Sequence, residues 1–195
     1  EIQERHTAMA KLPVFLENRD KVGYGVRLDP ALNGADATLQ INHAYDADPE
    51  IAKWLYSRDF RRALSMGIDR DQLNETFWLG VGTPGSVAPS ESAPENPGPE
   101  WRKKWSVLDV KQANQLLDKI GLSKKDGEGY RLRTDEKGRL RIELQTIAGA
   151  FINFAQVAEM IKEQWKKIGI QTDVKDLERN LFFTKIANNE HQIAI

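Results

Sequence analysis

The chain has 195 residues, of which 40% are apolar and 29% charged, and its formal net charge is −1. This composition is typical of a soluble globular domain, and the balanced charge, without a basic stripe, argues against a nucleic-acid partner. No apolar run approaches the ~18 residues that a membrane span requires, and the absence of cysteine excludes thiol catalysis and disulfides.

The N-terminal part predicts helices and short strands in turn. A helix is expected over residues 12–20, with Pro13 at the first helical position, where proline is tolerated. Strands are expected over residues 24–28 and 37–42 because apolar and polar residues alternate there. Asp48 and Pro49 then predict the start of a further helix.

Residues 59–84 predict two amphipathic helices that are joined at a cap and followed by a glycine-rich exit. Apolar residues at helical spacing, which would face a core, are Phe60, Ala63, Leu64 and Ile68. Asp69 is expected to begin the second helix, because its carboxylate can accept hydrogen bonds from the free amides of the first turn.

The second half alternates between helices and strands. Residues 83–108 hold most of the prolines and predict a long surface connection. Asp109 is expected to cap a helix that Gly121 ends. The remaining expectations are a hairpin of 130–133 with 140–146, a helix over 151–167, a strand over 170–174, a helix over 181–187 and a strand over 192–195. This order favours βαβ units with largely parallel pairing.

Four segments resemble one known family. DFRRALSMGIDRDQLNETFWLGVGTP, residues 59–84, resembles a signature of the extracytoplasmic solute-binding proteins of ABC importers, in the class that includes oligopeptide- and dipeptide-binding proteins. The matching residues are Arg61, Ala63, Leu64, Ser65, Ile68, Asp69, Arg70, Gly80, Gly82 and Pro84. The resemblance extends over nearly the whole chain through NHAYD at 42–46, LLDKIGLSKKDGEGYRLRTDEKGRLRIEL at 116–144 and QVAEMIKEQWKKIGIQTDVKDLERNLFFTKI at 156–186.

The resemblance implies an α/β lobe of the periplasmic-binding-protein type, class II, with a mixed sheet and flanking helices. Residues 1–195 would form this single lobe, which is inserted between the two halves of the first lobe of a two-lobed protein. The first residue is not Met and the last lies in an apolar run, so we expect an excised piece of a longer chain. The resemblance also implies a monomer in a periplasmic or extracellular, membrane-associated location.

The function that the resemblance implies is capture of peptides or similar small polar solutes, with the membrane permease of an ABC importer as the partner of the full-length protein. We expect no enzymatic activity and no cofactor, because the sequence offers no nucleophile–base pairing and no cofactor fingerprint. An oligosaccharide is the closest alternative solute. An α/β hydrolytic enzyme and a protein-interaction domain are alternatives of another class.

The candidate ligand residues lie in two loops. Residues 148–154 link a strand end to a helix N-terminus, where open α/β sheets bind ligands and backbone amides are free. Phe151, Asn153 and Phe154 are therefore candidates, and the alternative for the two phenylalanines is core packing. The resemblance places Thr83 near the interlobe cleft, which makes it the fourth candidate.

Two further sequence features bear on solute binding. Trp101 and Trp105 flank three basic residues and would form either a stacking platform or a surface turn with half-buried indoles. In the oligopeptide-binding relatives, a Gly-Trp-x-x-Asp stretch after the last helix of the lobe pairs with the amino group of a peptide. The chain ends at Ile195, before that stretch, so we expect the isolated chain to bind solute weakly or not at all.

Metal and hydrolase patterns are incomplete. Asp46, Asp48 and Glu50 resemble the start of a calcium loop, but Ile51 and Ser57 stand where that loop needs glycine and glutamate. The three histidines lack ligand-like spacing, and there is no G-x-S-x-G elbow. We therefore expect neither metal ligands nor catalytic residues.

Overall fold

Two seven-residue parallel strands are the longest in a four-stranded mixed sheet with the order β1-β4-β2-β3. The computed structural model describes residues 9–29, 34–150 and 152–195. The strands are β1 (Gln40–Ile41), β2 (Arg141–Ile147), β3 (Gln171–Leu177) and β4 (Ile193–Ala194). The helices are α1 (Leu12–Val22), α2 (Pro49–Tyr56), α3 (Arg58–Met66), α4 (Arg70–Trp78), α5 (Pro99–Lys103), α6 (Val110–Lys119), α7 (Phe154–Lys166) and α8 (Arg179–Ala187), and a single 3-10 turn, Met9–Lys11, precedes α1.

The order β2-α7-β3-α8-β4 confirms the predicted parallel layout. β2 pairs in parallel with both β3 and β4, and β1 runs antiparallel to β4. The predicted strand over residues 24–28 does not form, and that over 37–42 shortens to β1. The predicted hairpin of 130–133 with 140–146 is reduced to an antiparallel bridge of Leu132 with Arg139, the residue before the second predicted arm, because β2 pairs with β3 and β4 instead.

Three helices begin at the aspartates that the sequence marked as caps. The carboxylate of Asp48 accepts from the amide of Glu50 at 3.0 Å. That of Asp69 accepts from Gln72 at 2.9 Å, and that of Asp109 accepts from Gln112 at 2.7 Å. Each bond satisfies an amide that has no partner within its helix, which contributes ~1 kcal/mol to helix stability.

The core lies between one face of the sheet and helices α2, α3, α6 and α7. Phe60, Ala63, Leu64 and Ile68 are all buried in it, as their spacing predicted. Trp165 of α7 is fully buried, and its indole nitrogen donates to the carbonyl of Leu64 at 2.9 Å. Full burial of an aromatic side chain of this size contributes a few kcal/mol, so α7 is fixed against α3.

A charged side chain, Arg131, is also part of the interior and has no solvent exposure. Its guanidinium donates to Asp118 at 2.6 Å and to the Oδ1 atom of Asn114 at 2.7 Å, both on α6. It also donates to the carbonyl of Ile168 at 2.8 Å and to that of Leu122. Because one guanidinium binds side chains of α6 and the carbonyl of Ile168 just after α7, Arg131 holds α6 against the end of α7.

A second arginine links the turn before β2 to the start of α2. The guanidinium of Arg133 donates to both carboxylate oxygens of Asp48, at 2.6 and 2.9 Å, and to Asp135 at 2.6 Å. The hydrogen bond from Arg133 lowers the pKa of Asp48, and it lowers the pKa of Asp135 to about 2. Asp48 therefore caps α2 and anchors Arg133 with the same carboxylate.

The connection over residues 83–108 is irregular except for the short helix α5. The amide of Ser86 donates to the carbonyl of Arg102 at 2.7 Å, and its hydroxyl donates to the carbonyl of Trp101, so the two ends of the connection are held together. Within the described ranges, no helix has both the length and the apolar character needed to cross a bilayer. The assignment of 1–195 to one lobe stays a prediction.

Candidate functional site

The parallel strands β2, β3 and β4 all end at the same edge of the sheet, and two helices begin there. The carboxamide oxygen of Asn153 caps α7 by accepting from the amide of Gln156 at 3.1 Å. The carboxylate of Glu178 caps α8 by accepting from Asn180 at 2.9 Å and from Leu181 at 3.2 Å. The carboxyl edge is where open α/β sheets bind ligands, so this edge is the first place to look for a site.

The loop that joins β2 to α7 lies at this edge. Gly149 has φ of +76°, and a Cβ atom added there would meet nothing within 4 Å. Asn153 is exposed and Phe154 is half-buried, and Phe154 is not among the side chains packed against the core cluster. Phe151, the third candidate of this loop, lies outside the described residues. The helix predicted from residue 151 begins at Phe154, because Asn153 caps it.

A carboxylate lies at the end of β3 beside the same loop. The parallel register places Asp176 next to Thr146 of β2, and the hydroxyl of Thr146 donates to the Oδ1 atom of Asp176 at 2.7 Å. The amide of Ala148 donates to the carbonyl of Leu177 at 2.8 Å, which holds the start of the loop against β3. The edge therefore combines an acidic group with open backbone.

The first turns of α8 add an exposed aromatic ring. Phe183 is 51% exposed, whereas its neighbour Phe182 is buried and meets it edge to face, with ring centroids 5.5 Å apart. The guanidinium of Arg179 lies 5.5 Å from the centroid of the Phe183 ring. A fixed aromatic face of this kind can contact an apolar side chain or stack on a sugar ring.

Thr83 lies elsewhere, in the wall of a cavity of about 350 Å³. Apolar walls of this cavity come from α3, α4 and α7, and the α7 residues that line it are Val157 and Ile161. Asn153 and Phe154 do not line it. Asn153 and Phe154 therefore lie at the carboxyl edge, and Thr83 lies at a cavity that neither of them lines; α7 and Ile195, the residue after β4, are common to both places.

Two arginines, Arg61 and Arg70, also line that cavity. Arg70 donates to the carbonyls of Ser65 at 2.8 Å and Ser106 at 2.9 Å and to the hydroxyl of Ser65 at 2.8 Å. Burial lowers the pKa of Arg70 to about 10. Because its partners include carbonyls at the C-terminal end of α3, where a helix favours a cation, Arg70 has a structural role.

The remaining polar candidates do not assemble into a site. Within the ranges that the structure describes, no group of three or more His, Cys, Asp or Glu side chains could hold a metal ion. Burial lowers the pKa of His191, which disfavours its charged form. Trp101 and Trp105 are 45% and 36% exposed, with Lys104 and Arg62 over their rings, as expected for a surface turn with half-buried indoles.

Sequence reasoning missed Thr146, Asp176, Arg179 and Phe183. The predicted strand ended at residue 174, so Asp176 was not placed beside β2. The available signal was the polar sequence at the end of β3, directly before a helix. Only the register of β2 with β3 shows that Thr146 and Asp176, 30 residues apart, are adjacent.

Comparison with known proteins adds to this geometry. The family model described as bacterial extracellular solute-binding proteins, family 5, middle, matches residues 13–195. Among solved structures, the oligopeptide-binding protein OppA is 33% identical with a TM-score of 0.81, and the alignment covers 95% of this chain and 28% of OppA. None of the curated proteins matches the chain.

More distant structures share the fold. NikA from Brucella suis, in complex with Fe(III)-EDTA, is 20% identical with a TM-score of 0.72, over 93% of this chain and 34% of NikA. A mannohexaose-bound periplasmic oligopeptide-binding protein from Thermotoga maritima is 16% identical with a TM-score of 0.64, over 80% and 28% of the two chains. The chain thus spans about a third or less of the length of these proteins.

These matches confirm the predicted fold, a mixed α/β sheet with flanking helices from a larger, periplasmic-binding-protein-like molecule. The family match extends over nearly all of the chain and includes the four segments whose amino-acid sequences resemble the family. The chain belongs to the family 5 bacterial extracellular solute-binding proteins.

Proposed function

We propose that this chain is one lobe of an ABC-importer binding protein that captures peptides. The observation that carries the proposal is the 33% identity to an oligopeptide-binding protein over 95% of the chain. The open carboxyl edge of the sheet supports it, because a solute could contact free backbone, Asn153, Phe154 and the undescribed Phe151 there. Thr83 is the fourth proposed contact, through its separate cavity.

In this proposal the full-length protein binds its solute between two lobes that close by hinge motion. Closure excludes water from the solute, and the apparent affinity depends on how far the closed form is populated. The closed form then docks on the membrane permease of the importer, outside the cytoplasm. The site binds its solute without covalent chemistry, so no catalytic residue and no cofactor is required. The full-length protein acts as a monomer.

An oligosaccharide is the second candidate solute, and the exposed ring of Phe183 favours it, because sugars stack on aromatic faces. The mannohexaose-bound relative supports this candidate only at the level of the fold, at 16% identity. The choice between the two solute classes therefore depends on a binding experiment.

The experiment is thermal unfolding of the full-length protein with a panel of tripeptides to pentapeptides and a matched panel of oligosaccharides. A bound solute stabilises the folded state by RT ln(1 + [L]/Kd), which is ~2.7 kcal/mol at 100 times Kd. We expect a melting shift with peptides and little or none for the isolated chain. No shift with any peptide, together with a clear shift with sugars, would replace the first candidate by the second.

A further inference from the structure

Asp176 is placed at the carboxyl edge by the pleat of β3. Successive side chains of a strand point to opposite faces, so Asp176 shares a face with Val174, which packs against the core. The register with β2 extends this face through Leu144 and Thr146. Asp176 is the last member of this row and is exposed, so its carboxylate lies where the core face meets the proposed solute site.

The carboxylate is held in place by a buried donor. Thr146 has no solvent exposure, and its hydroxyl donates to one carboxylate oxygen of Asp176 at 2.7 Å. A buried hydroxyl without an acceptor would be costly, so the pair fixes the orientation of an otherwise mobile surface side chain. A fixed group loses less conformational entropy when it binds a ligand.

The charge of Asp176 has no ion-pair partner in the part of the chain that the structure describes. Among the ion pairs of the described residues, none includes Asp176. Pleating turns Lys175 to the opposite face, and the guanidinium of Arg179 lies over the ring of Phe183. The hydroxyl of Thr146 occupies one of about four acceptor positions of the carboxylate, so Asp176 can accept further hydrogen bonds.

We propose that Asp176 determines specificity by binding the ammonium or guanidinium group of a basic side chain of the solute. This inference rests on the proposed function, because it states which chemical group of the solute is recognised at the carboxyl edge of the sheet. A charge-assisted hydrogen bond to a carboxylate fixed in advance is stronger than a neutral one, and it rejects an uncharged solute that would leave the carboxylate unpaired.

A purely structural role is the competing explanation, in which Asp176 only satisfies the hydroxyl of Thr146. Asp176→Asn separates the two roles, because the carboxamide oxygen still accepts from Thr146 while the charge is lost. Asp173 supplies a matched control: it lies on the same strand, and pleating turns it to the opposite face. Asp173→Asn therefore removes the same charge from β3 without changing the proposed contact.

The experiment is calorimetric titration of the full-length protein and both variants with three probes: Ala-Lys-Ala, Ala-norleucine-Ala and N-acetyl-Ala-Lys-Ala. We expect the wild type to prefer Ala-Lys-Ala to Ala-norleucine-Ala by about 10-fold or more. Asp176→Asn should abolish that preference, and Asp173→Asn should keep it. Acetylation of the amino terminus should change binding equally in the wild type and in Asp176→Asn, because the proposed contact is to the side chain.

The outcomes separate the two proposals. A wild type that binds Ala-Lys-Ala and Ala-norleucine-Ala equally, or an Asp176→Asn variant that keeps the full preference, would overturn the inference while the proposed function stands. A wild type that binds none of the probes would contradict capture of short peptides and the inference with it. Thr146→Val gives a second test in which the charge remains: it should reduce the preference for the cationic probe without abolishing it, and an unchanged preference would contradict the role assigned to the Thr146–Asp176 pair.

Discussion

Replacement of the buried Arg131 by methionine should destabilise the chain strongly. The carbonyls of Leu122 and Ile168 lose a donor in the interior, and each buried acceptor left without a partner costs ~1–3 kcal/mol. The partner carboxylate of Asp118 is 51% exposed, so water can solvate it after the change and its loss adds little. We therefore expect a total loss of about 3–5 kcal/mol in the free energy of unfolding.

The measurement is urea unfolding followed by tryptophan fluorescence, for which the chain has five tryptophans. For a domain of this size, each kcal/mol corresponds to roughly 2–4 °C in Tm, so thermal unfolding gives an independent check. Arg139→Met is the matched control, because the Arg139 side chain is 25% exposed and pairs with Asp126 and with Glu128, which is 70% exposed. It should cost less than ~1 kcal/mol. Equal losses for the two variants would refute the argument from burial.

Two further predictions concern stability. Asp48→Asn should lower the urea midpoint at pH 7, and the difference from the wild type should shrink toward pH 3. The folded state lowers the pKa of Asp48 below 3.8. The charged carboxylate therefore stabilises the folded state above the unfolded-state pKa, and this stabilisation is lost as pH falls through the folded-state pKa. A difference that grows on acidification would contradict the assigned pairing with Arg133. Gly169→Ala should lower the free energy of unfolding more than Gly121→Ala does. Both glycines have positive φ, at +78° and +102°, but only at Gly169 would a Cβ atom lie 2.9 Å from a backbone oxygen, that of Gly129. Urea unfolding of both variants checks this, and equal costs would contradict it.

The parts of the fold that depend on short stretches of sequence were predictable. Caps at Asp48, Asp69 and Asp109 follow from bonds between residues two or three positions apart, and the buried stripe of α3 follows from helical spacing. Strand lengths were not predictable in this way, because they depend on the partner strand. β3 runs to Leu177 only because each of its residues has a neighbour on β2.

For the candidate site, the position of one loop was predictable and its contacts were not. The loop before α7 lies at the carboxyl edge as expected, but Asn153 serves as a helix cap, which its position before the apolar run of α7 could have indicated. The roles of Arg131 and Asp176 could not be identified from sequence, because these roles depend on hydrogen-bond partners that lie 9–37 residues away along the chain. Thr83 was a candidate by resemblance, and it lines a cavity that Asn153 does not line.

The location of the solute site is tested most directly by hydrogen exchange of the full-length protein, measured by mass spectrometry with and without a bound peptide. The account predicts that slowed exchange within this lobe is concentrated at the proposed contacts, which are the loop from 148 to 153 with the first turn of α7, the end of β3 with the first turns of α8, and the backbone around Thr83. Protection that leaves these stretches unchanged and appears instead on α1 would contradict it.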